Sequence, residues 1–231
     1  YSDLMLSIIP FEREIYGSDC YYVGNPVKDR ILEFQISDQG GVREKFGLFP
    51  GSRSNEVARN LPVMLESVRK CDIGIPIVVN VPEDLLELTK KVVKESGTEA
   101  EIFTSRFLEL LSQCRCALIS SGTATLEAAL LGIPFAIIYK VSPITYMIAK
   151  KLAKIEHIGL PNILLNREEF PEFIQHRANP DLVGEFINSS LKDDISAKKR
   201  EVAEELNDIL GTEHYASHAA EKIGTLLFQE E

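Results

Sequence analysis

The chain has 231 residues, 45% hydrophobic and 26% charged, with a formal net charge of −10 at pH 7. That composition suits a water-soluble globular fold with a sizeable core, and the acidic balance argues against a nucleic-acid partner, which needs a basic face. The longest apolar run, Leu130 to Tyr139, is broken by Gly132 and Pro134 and is too short to span a bilayer. No signal peptide is read. Cys20, Cys71, Cys114 and Cys116 lack CxxC spacing, so buried, reduced thiols in a cytosolic protein are expected and a metal site is not.

In chain order, Leu4 to Ile9 reads as a strand and Pro10 to Tyr16 as a short helix ended by Gly17. The missing initiator Met ahead of Tyr1-Ser2-Asp3-Leu4 raises the expectation of a fragment lacking its N-terminal part. Tyr21 to Val23 is a strand stopped by Gly24-Asn25-Pro26, and Lys28 to Gly41 gives no clear signal. Lys45 to Phe49 is a strand ending in Pro50-Gly51-Ser52-Arg53. Ser54 is then placed to cap a helix with Val57, Leu61, Met64, Leu65 and Val68 on one face, kinked or restarted at Pro62.

Ile75 to Val81 is apolar apart from Asn80, as a buried parallel strand should be, and Pro82 to Ser96 follows as an amphipathic helix. Ile102-Phe103 and Cys116 to Ser120 read as strands flanking a short helix at Phe107 to Leu111. The run Leu118-Ile-Ser-Ser-Gly-Thr-Ala-Thr-Leu-Glu127 then reads as strand, glycine turn and helix N-terminus, followed by a strand at Phe135 to Tyr139. Helices are predicted over Ile144 to Ile155, Arg167 to Ile174, Pro180 to Leu191, Asp194 to Leu210 and Glu213 to Phe228. Alternating strands and helices without hairpin signals predict an α/β fold, a doubly wound Rossmann-like parallel sheet with extra C-terminal helices.

Such a sheet holds ligands at the carboxyl ends of its strands, and a strand–turn–helix junction offers unpaired N–H groups to phosphate. Neither G-x-G-x-x-G nor G-x-x-x-x-G-K-[ST] occurs, which disfavours a dinucleotide cofactor or ATP hydrolysis. Two glycine turns do occur, one with Arg53 and one followed by Glu127. A guanidinium binds diphosphate and a carboxylate one turn into a helix accepts from a ribose diol, so the pair suits a nucleoside diphosphate. Each residue also fits a plainer use, Arg53 in a surface ion pair and Glu127 at a positive helix start. No D-x-D pair is present to hold a divalent cation.

Five motifs, in this order, carry a resemblance: Ile8-Ile9-Pro10-Phe11-Glu12; Phe49-Pro50-Gly51-Ser52-Arg53 with Glu56; Ser120 through Glu127; Tyr139-Lys140-Val141-Ser142-Pro143; and Leu160-Pro161-Asn162-Ile163-Leu164. Over nearly its whole length the chain resembles the lipid-A-disaccharide synthase family of GT-B glycosyltransferases, specifically the C-terminal, donor-binding half. The resemblance implies a UDP-sugar-binding domain over 1–231, with helices from about 194 to 231 placed to cross back to a missing N-terminal half. It implies an inverting, metal-independent and cofactor-free hexosyltransferase. That enzyme moves 2,3-diacylglucosamine from UDP-2,3-diacylglucosamine to 2,3-diacylglucosamine 1-phosphate and releases UDP.

Carried over by position, Arg53 stabilises the leaving UDP, and Gly51 and Ser52 shape its turn. Ser121, Gly122 and Thr123 donate to the same diphosphate, Glu127 holds the ribose or lies just behind it, and Asn162 reaches the UDP site. The general base is expected in the missing half, leaving this fragment able to bind UDP but inactive alone. Gly24-Asn25-Pro26 departs from the family's usual Gly-His-Pro, putting an amide where an imidazole would titrate. Acylated substrates imply a cytoplasmic protein, peripheral on the inner face of the cytoplasmic membrane. Ile144, Ile148 and Leu152, with Lys150, Lys151 and Lys154, have the composition of an interfacial helix, which is also that of an ordinary core stripe. A homodimer is implied as well. His214 and His218, four apart, read as solvated rather than as metal ligands. The alternatives are another UDP-sugar GT-B enzyme, an epimerase or a polyprenyl-linked GlcNAc transferase, or a nucleotide-sugar-binding module without catalysis.

Overall fold

The computed structural model describes residues 4–37, 43–141, 156–192 and 196–228. Six parallel strands form the main sheet: β3 (Lys45–Phe49), β4 (Ile77–Asn80), β5 (Glu101–Phe103), β6 (Cys114–Ser120), β7 (Phe135–Tyr139) and β8 (Glu172–Ile174), in the spatial order β5-β4-β3-β6-β7-β8. A separate parallel pair joins β1 (Met5–Ser7) to β2 (Cys20–Tyr22) around helix α1 (Glu12–Tyr16). The chain builds outward from β3 through β4 to β5, then returns to β3's other edge with β6. Chain order therefore reverses between β3 and β6, where open α/β sheets form a crevice.

Both faces of the sheet are covered, which is why its strands read as continuous apolar runs instead of alternating ones. Phe46, Leu48, Cys116, Leu118, Ala136 and Ile138 point to one side. There they meet Leu61 and Met64 of α3 (Ser54–Arg69), Val93 of α4 (Leu86–Ser96) and Val183 and Ile187 of α8 (Pro180–Lys192). Phe49, Ala117, Ile119, Phe135 and Ile137 point to the other. They pack with α5 (Phe107–Ser112), α6 (Thr123–Leu130), α7 (Leu160–Leu165) and α9 (Ser196–Ile209), through Leu111, Leu126, Leu165 and Leu206. Phe170 stacks on Phe135 with ring centroids 4.2 Å apart.

Several expectations need correction. The unread stretch after Lys28 belongs to a twelve-residue helix, α2 (Pro26–Ser37). Its signal was Asn25-Pro26: the Asn25 Oδ1 accepts from Val27 N at 2.9 Å, and Pro26 occupies a helix start that needs no N–H. The helix predicted over Arg167 to Ile174 is instead a bend leading into β8, because Phe170 and Phe173 mimic helical spacing while entering the two opposite cores. The Leu160-Pro161-Asn162 segment is helical, as α7. Helix α3 runs through Pro62 without restarting, and Arg53, not Ser54, is its N-cap. His214 stands at the entry to α10 (Tyr215–Phe228), its carbonyl accepting from His218 N at 3.1 Å and its Nδ1 3.5 Å from Asp29 Oδ1. Among the described residues no group of three His, Cys, Asp or Glu side chains could hold a metal, and no helix is long and apolar enough to cross a membrane. The stretch from Ile144 to Ile155 lies outside the described residues. Of the four free cysteines Cys71 is only half-buried, while burial pushes the Cys114 and Cys116 thiols up to about 12.

A single buried carboxylate organises the β8 edge. Glu172 accepts from Ile158 N (2.9 Å to Oε2), Gly159 N (2.9 Å to Oε1) and Asn162 Nδ2 (2.9 Å to Oε1). Removing it leaves the Ile158 and Gly159 amides unpaired and takes one of two acceptors from Asn162 Nδ2, at on the order of 3 kcal/mol. Glu172→Ala is expected to lower the urea midpoint correspondingly, and Glu172→Gln to cost less; equal stability of Glu172→Ala and the parent chain would refute this account.

Candidate functional site

A cavity of ≈ 590 Å³ opens at the carboxyl ends of β3, β4, β5 and β6, over the reversal in strand order. Two strand-to-helix turns face it. One, Gly51-Ser52-Arg53, leads from β3 into α3; the other, Ser121-Gly122-Thr123, leads from β6 into α6, and all six residues line the wall. The two helix starts differ in what they already hold. At α3 the Glu56 carboxylate accepts from Ser52 N (2.9 Å) and Arg53 N (3.2 Å), an internal anion at a positive helix end. At α6 no acidic residue stands in the first turn and no side chain caps the start. That end is open to an outside anion.

Gly51 is dictated by this geometry. Its φ is +119°, and a Cβ there would lie 2.4 Å from Glu56 Oε2. Beneath the turns, Asn60 of α3 is fully buried. Its Nδ2 donates to Pro50 O (3.0 Å) and Ser120 Oγ (3.1 Å), and its Oδ1 accepts from Lys140 N (3.0 Å). Ser121 Oγ donates to Ile158 O at 2.9 Å, which ties the second turn to the segment before α7.

Three guanidinium groups reach the cavity. Arg53 is 79% exposed, with Nη1 3.1 Å from Glu56 Oε1, so the surface ion pair expected as its plainer use is present together with its place on the wall. Arg106 precedes α5 in the left-handed region, φ 59°, an unusual conformation for a bulky residue, with Nε 3.7 Å from Glu109. Arg30 arrives from α2. Sequence reasoning missed Arg30 because its helix was not read, and missed Arg106 because nothing in Thr104-Ser105-Arg106-Phe107 announces a left-handed residue. Asn60 was hidden within an apolar helical pattern.

Two expected site residues stand off the wall, Glu127 just behind it and Asn162 elsewhere. Glu127 is buried and does not line the cavity; it pairs with Arg30, Nη1 to Oε1 at 2.6 Å. Burial raises its carboxyl above the ordinary range, and the Arg30 charge pulls the other way. Asn162 is fully buried and fully employed: Nδ2 donates to Phe170 O (2.7 Å) and Glu172, and Oδ1 accepts from Glu169 N and Phe170 N at 3.0 Å each. It builds the β8 bend and does not reach the cavity. Asn25 is likewise a helix cap, its Nδ2 donating to Ile8 O at 2.9 Å.

A doubly wound parallel sheet with a crevice at the reversal matches the halves of the GT-B glycosyltransferase fold. Solved structures agree in fold. The calicheamicin glycosyltransferase CalG4 superposes with a TM-score of 0.60 at 13% identity, over 98% of this chain and 53% of that one. Os79 from O. sativa, in complex with UDP, gives 0.54 at 14% identity, over 85% of this chain and 45% of that one.

The family model for lipid-A-disaccharide synthetase matches residues 1–223, and the chain belongs to that family. The lipid-A-disaccharide synthase of Sulfurihydrogenibium sp. is 35% identical over 98% of this chain and 66% of its own length. That of Persephonella marina is 34% identical over 98% and 65%. The chain thus spans just under two thirds of these curated relatives.

Gly51→Ala is expected to displace Glu56 and free the Ser52 and Arg53 amides, because the added Cβ and the carboxylate cannot coexist. Helix α3 should fray at its start, read as faster hydrogen exchange at residues 52–57 with β4 and β5 unchanged. Unaltered exchange would show that the turn tolerates the side chain.

Proposed function

We propose that this chain is the donor-binding portion of a lipid-A-disaccharide synthase. The observation that carries the reading is the pairing of two glycine turns on one cavity, one carrying Arg53 and the other leading into the uncapped start of α6. UDP-2,3-diacylglucosamine places its diphosphate there. The 2,3-diacylglucosamine unit passes to 2,3-diacylglucosamine 1-phosphate with inversion at the anomeric carbon. The bond from that carbon to the diphosphate oxygen breaks, its electron pair leaves with UDP, and the acceptor hydroxyl forms the new bond.

Within this reading Gly51 and Ser52 shape the turn, and Arg53 neutralises the departing diphosphate without a metal ion or cofactor. Ser121, Gly122 and Thr123 supply backbone and hydroxyl contacts. The base that takes the acceptor's proton belongs to the portion of the relatives this chain does not span. In support, Glu56 is the one carboxylate on the described cavity wall, and it is already committed to the α3 start. The chain alone therefore binds donor without turnover. Helices α9 and α10 are the segments assigned to reach back toward that portion; α10 packs on α2, and its Lys222 Nζ lies 5.3 Å from the ring centroid of Tyr21 in β2. The whole protein acts as a homodimer, peripheral on the inner face of the cytoplasmic membrane.

Calorimetric titration with UDP is expected to show binding that is equal with and without Mg2+. Arg53→Ala should weaken it at least about tenfold, the scale of a lost charge-assisted hydrogen bond. Steady disaccharide formation by this chain alone, or binding indifferent to Arg53→Ala, would overturn the reading. For the membrane, cosedimentation with anionic liposomes is expected to fall when Lys150, Lys151 and Lys154 are changed to Glu. An unchanged bound fraction would retire that contact.

A further inference from the structure

Arg30 stands where the cavity would otherwise meet Glu127. Its side chain leaves α2, lines the wall and donates from Nη1 to Glu127 Oε1 at 2.6 Å. The partners are unequal: the guanidinium side chain is 56% exposed and the carboxylate side chain 4%. One N–H of the arginine fork is bonded to Glu127, and among the described residues no other hydrogen bond of Arg30 is recorded. A carboxylate so covered is poorly placed to receive a ribose diol, whereas a guanidinium held from behind presents its remaining donors forward.

We propose that Arg30 is a second phosphate-binding side chain of this cavity and that Glu127 is its buried anchor, a positioning residue and not a ribose ligand. This rests on the donor-site reading above. Helix α2 packs on α6, and Arg30 shares the cavity wall with Gly122, Thr123 and Ala124 at the α6 start, where the uncapped amides attract an anion. A charged acceptor also draws a guanidinium more strongly than a hydroxyl does. Arg53 lines the same cavity and is paired with Glu56 at the α3 start; a diphosphate offers a charged centre to each of the two guanidinium groups.

The test titrates the full chain with inorganic pyrophosphate and with uridine as separate probes. Arg30→Met should weaken pyrophosphate about tenfold or more and leave uridine unchanged, and Arg30→Lys should recover part of the loss. Because Arg30→Met leaves a buried carboxylate without its cation, the double variant Arg30→Met/Glu127→Gln is included. It should melt like the parent chain and still show the pyrophosphate loss, which a purely structural pair would not produce. Uridine weakened with pyrophosphate unaffected would overturn the proposal in favour of ribose contact. Indifference of both probes would overturn it outright. UDP binding that depends on Arg53 but not Arg30 would sink this assignment alone, while no binding by the parent chain would sink the donor-site reading with it.

Discussion

The amide of Asn60 holds the ends of three strands at once. Its donors reach the carbonyl after β3 and the last hydroxyl of β6, and its oxygen takes the N–H that follows β7. Strand ends at a sheet's carboxyl edge must part so that helices can leave on opposite faces, and each parting strands backbone polar groups. One buried side chain on α3 answers two of them and the Ser120 hydroxyl besides. The position of both glycine turns, and so the width of the crevice between them, depends on that amide being present and satisfied. An apolar substitute would remove the partners that Lys140 N and Pro50 O have in this amide.

The central strands were legible because parallel strands buried on both faces are apolar without interruption: Phe46 to Phe49, Ile77 to Val79 and Phe135 to Ile138 could hardly be anything else. The glycine turns were legible for a related reason, since a strand that stops at Pro50 or Ser120 and resumes as a helix has few other geometries. Edge structure was not. Strand β8 has three residues, too few for a period to show, and its decisive member is an acid, Glu172, whose bonds are made to a segment fourteen residues earlier. Helix α2 was obscured because among its described side chains only Ile31 and Lys28 are buried. At the site, motif order identified the wall but not the direction of each side chain. Glu127 belongs to a motif that lines the cavity and Asn162 to one that does not, yet neither side chain is on the wall: one faces Arg30, 97 residues away in sequence, and the other faces Glu172.

Helix α2 also connects regions that share no sheet. Lys28 donates to Asn207 O at 2.9 Å and to Gly211 O, capping the carboxyl end of α9, while Asp29 accepts from Tyr215 N at 2.8 Å at the entry to α10. The approach is close enough that a Cβ on Gly24, φ +94°, would lie 2.5 Å from Glu213 O. Tyr22, just before it, donates to Leu210 O, and burial followed by the charges of Glu213 and Asp29 pushes its hydroxyl up to about 12, so it stays a donor across neutral pH. Three successive residues, Lys28, Asp29 and Arg30, thus join the C-terminal helices to the cavity wall.

The carboxylate at the start of α3 has a consequence for selectivity. Since Glu56 already holds the Ser52 and Arg53 amides, an anion seeking that helix start must displace an intramolecular competitor, whereas the α6 start carries no side-chain cap. Such a competitor is present at high effective concentration and discriminates by valence: only a ligand with charge on two linked centres recovers what displacement costs. Under the donor-site reading, an anion with a single charged centre therefore competes with Glu56 at a disadvantage that a diphosphate does not share.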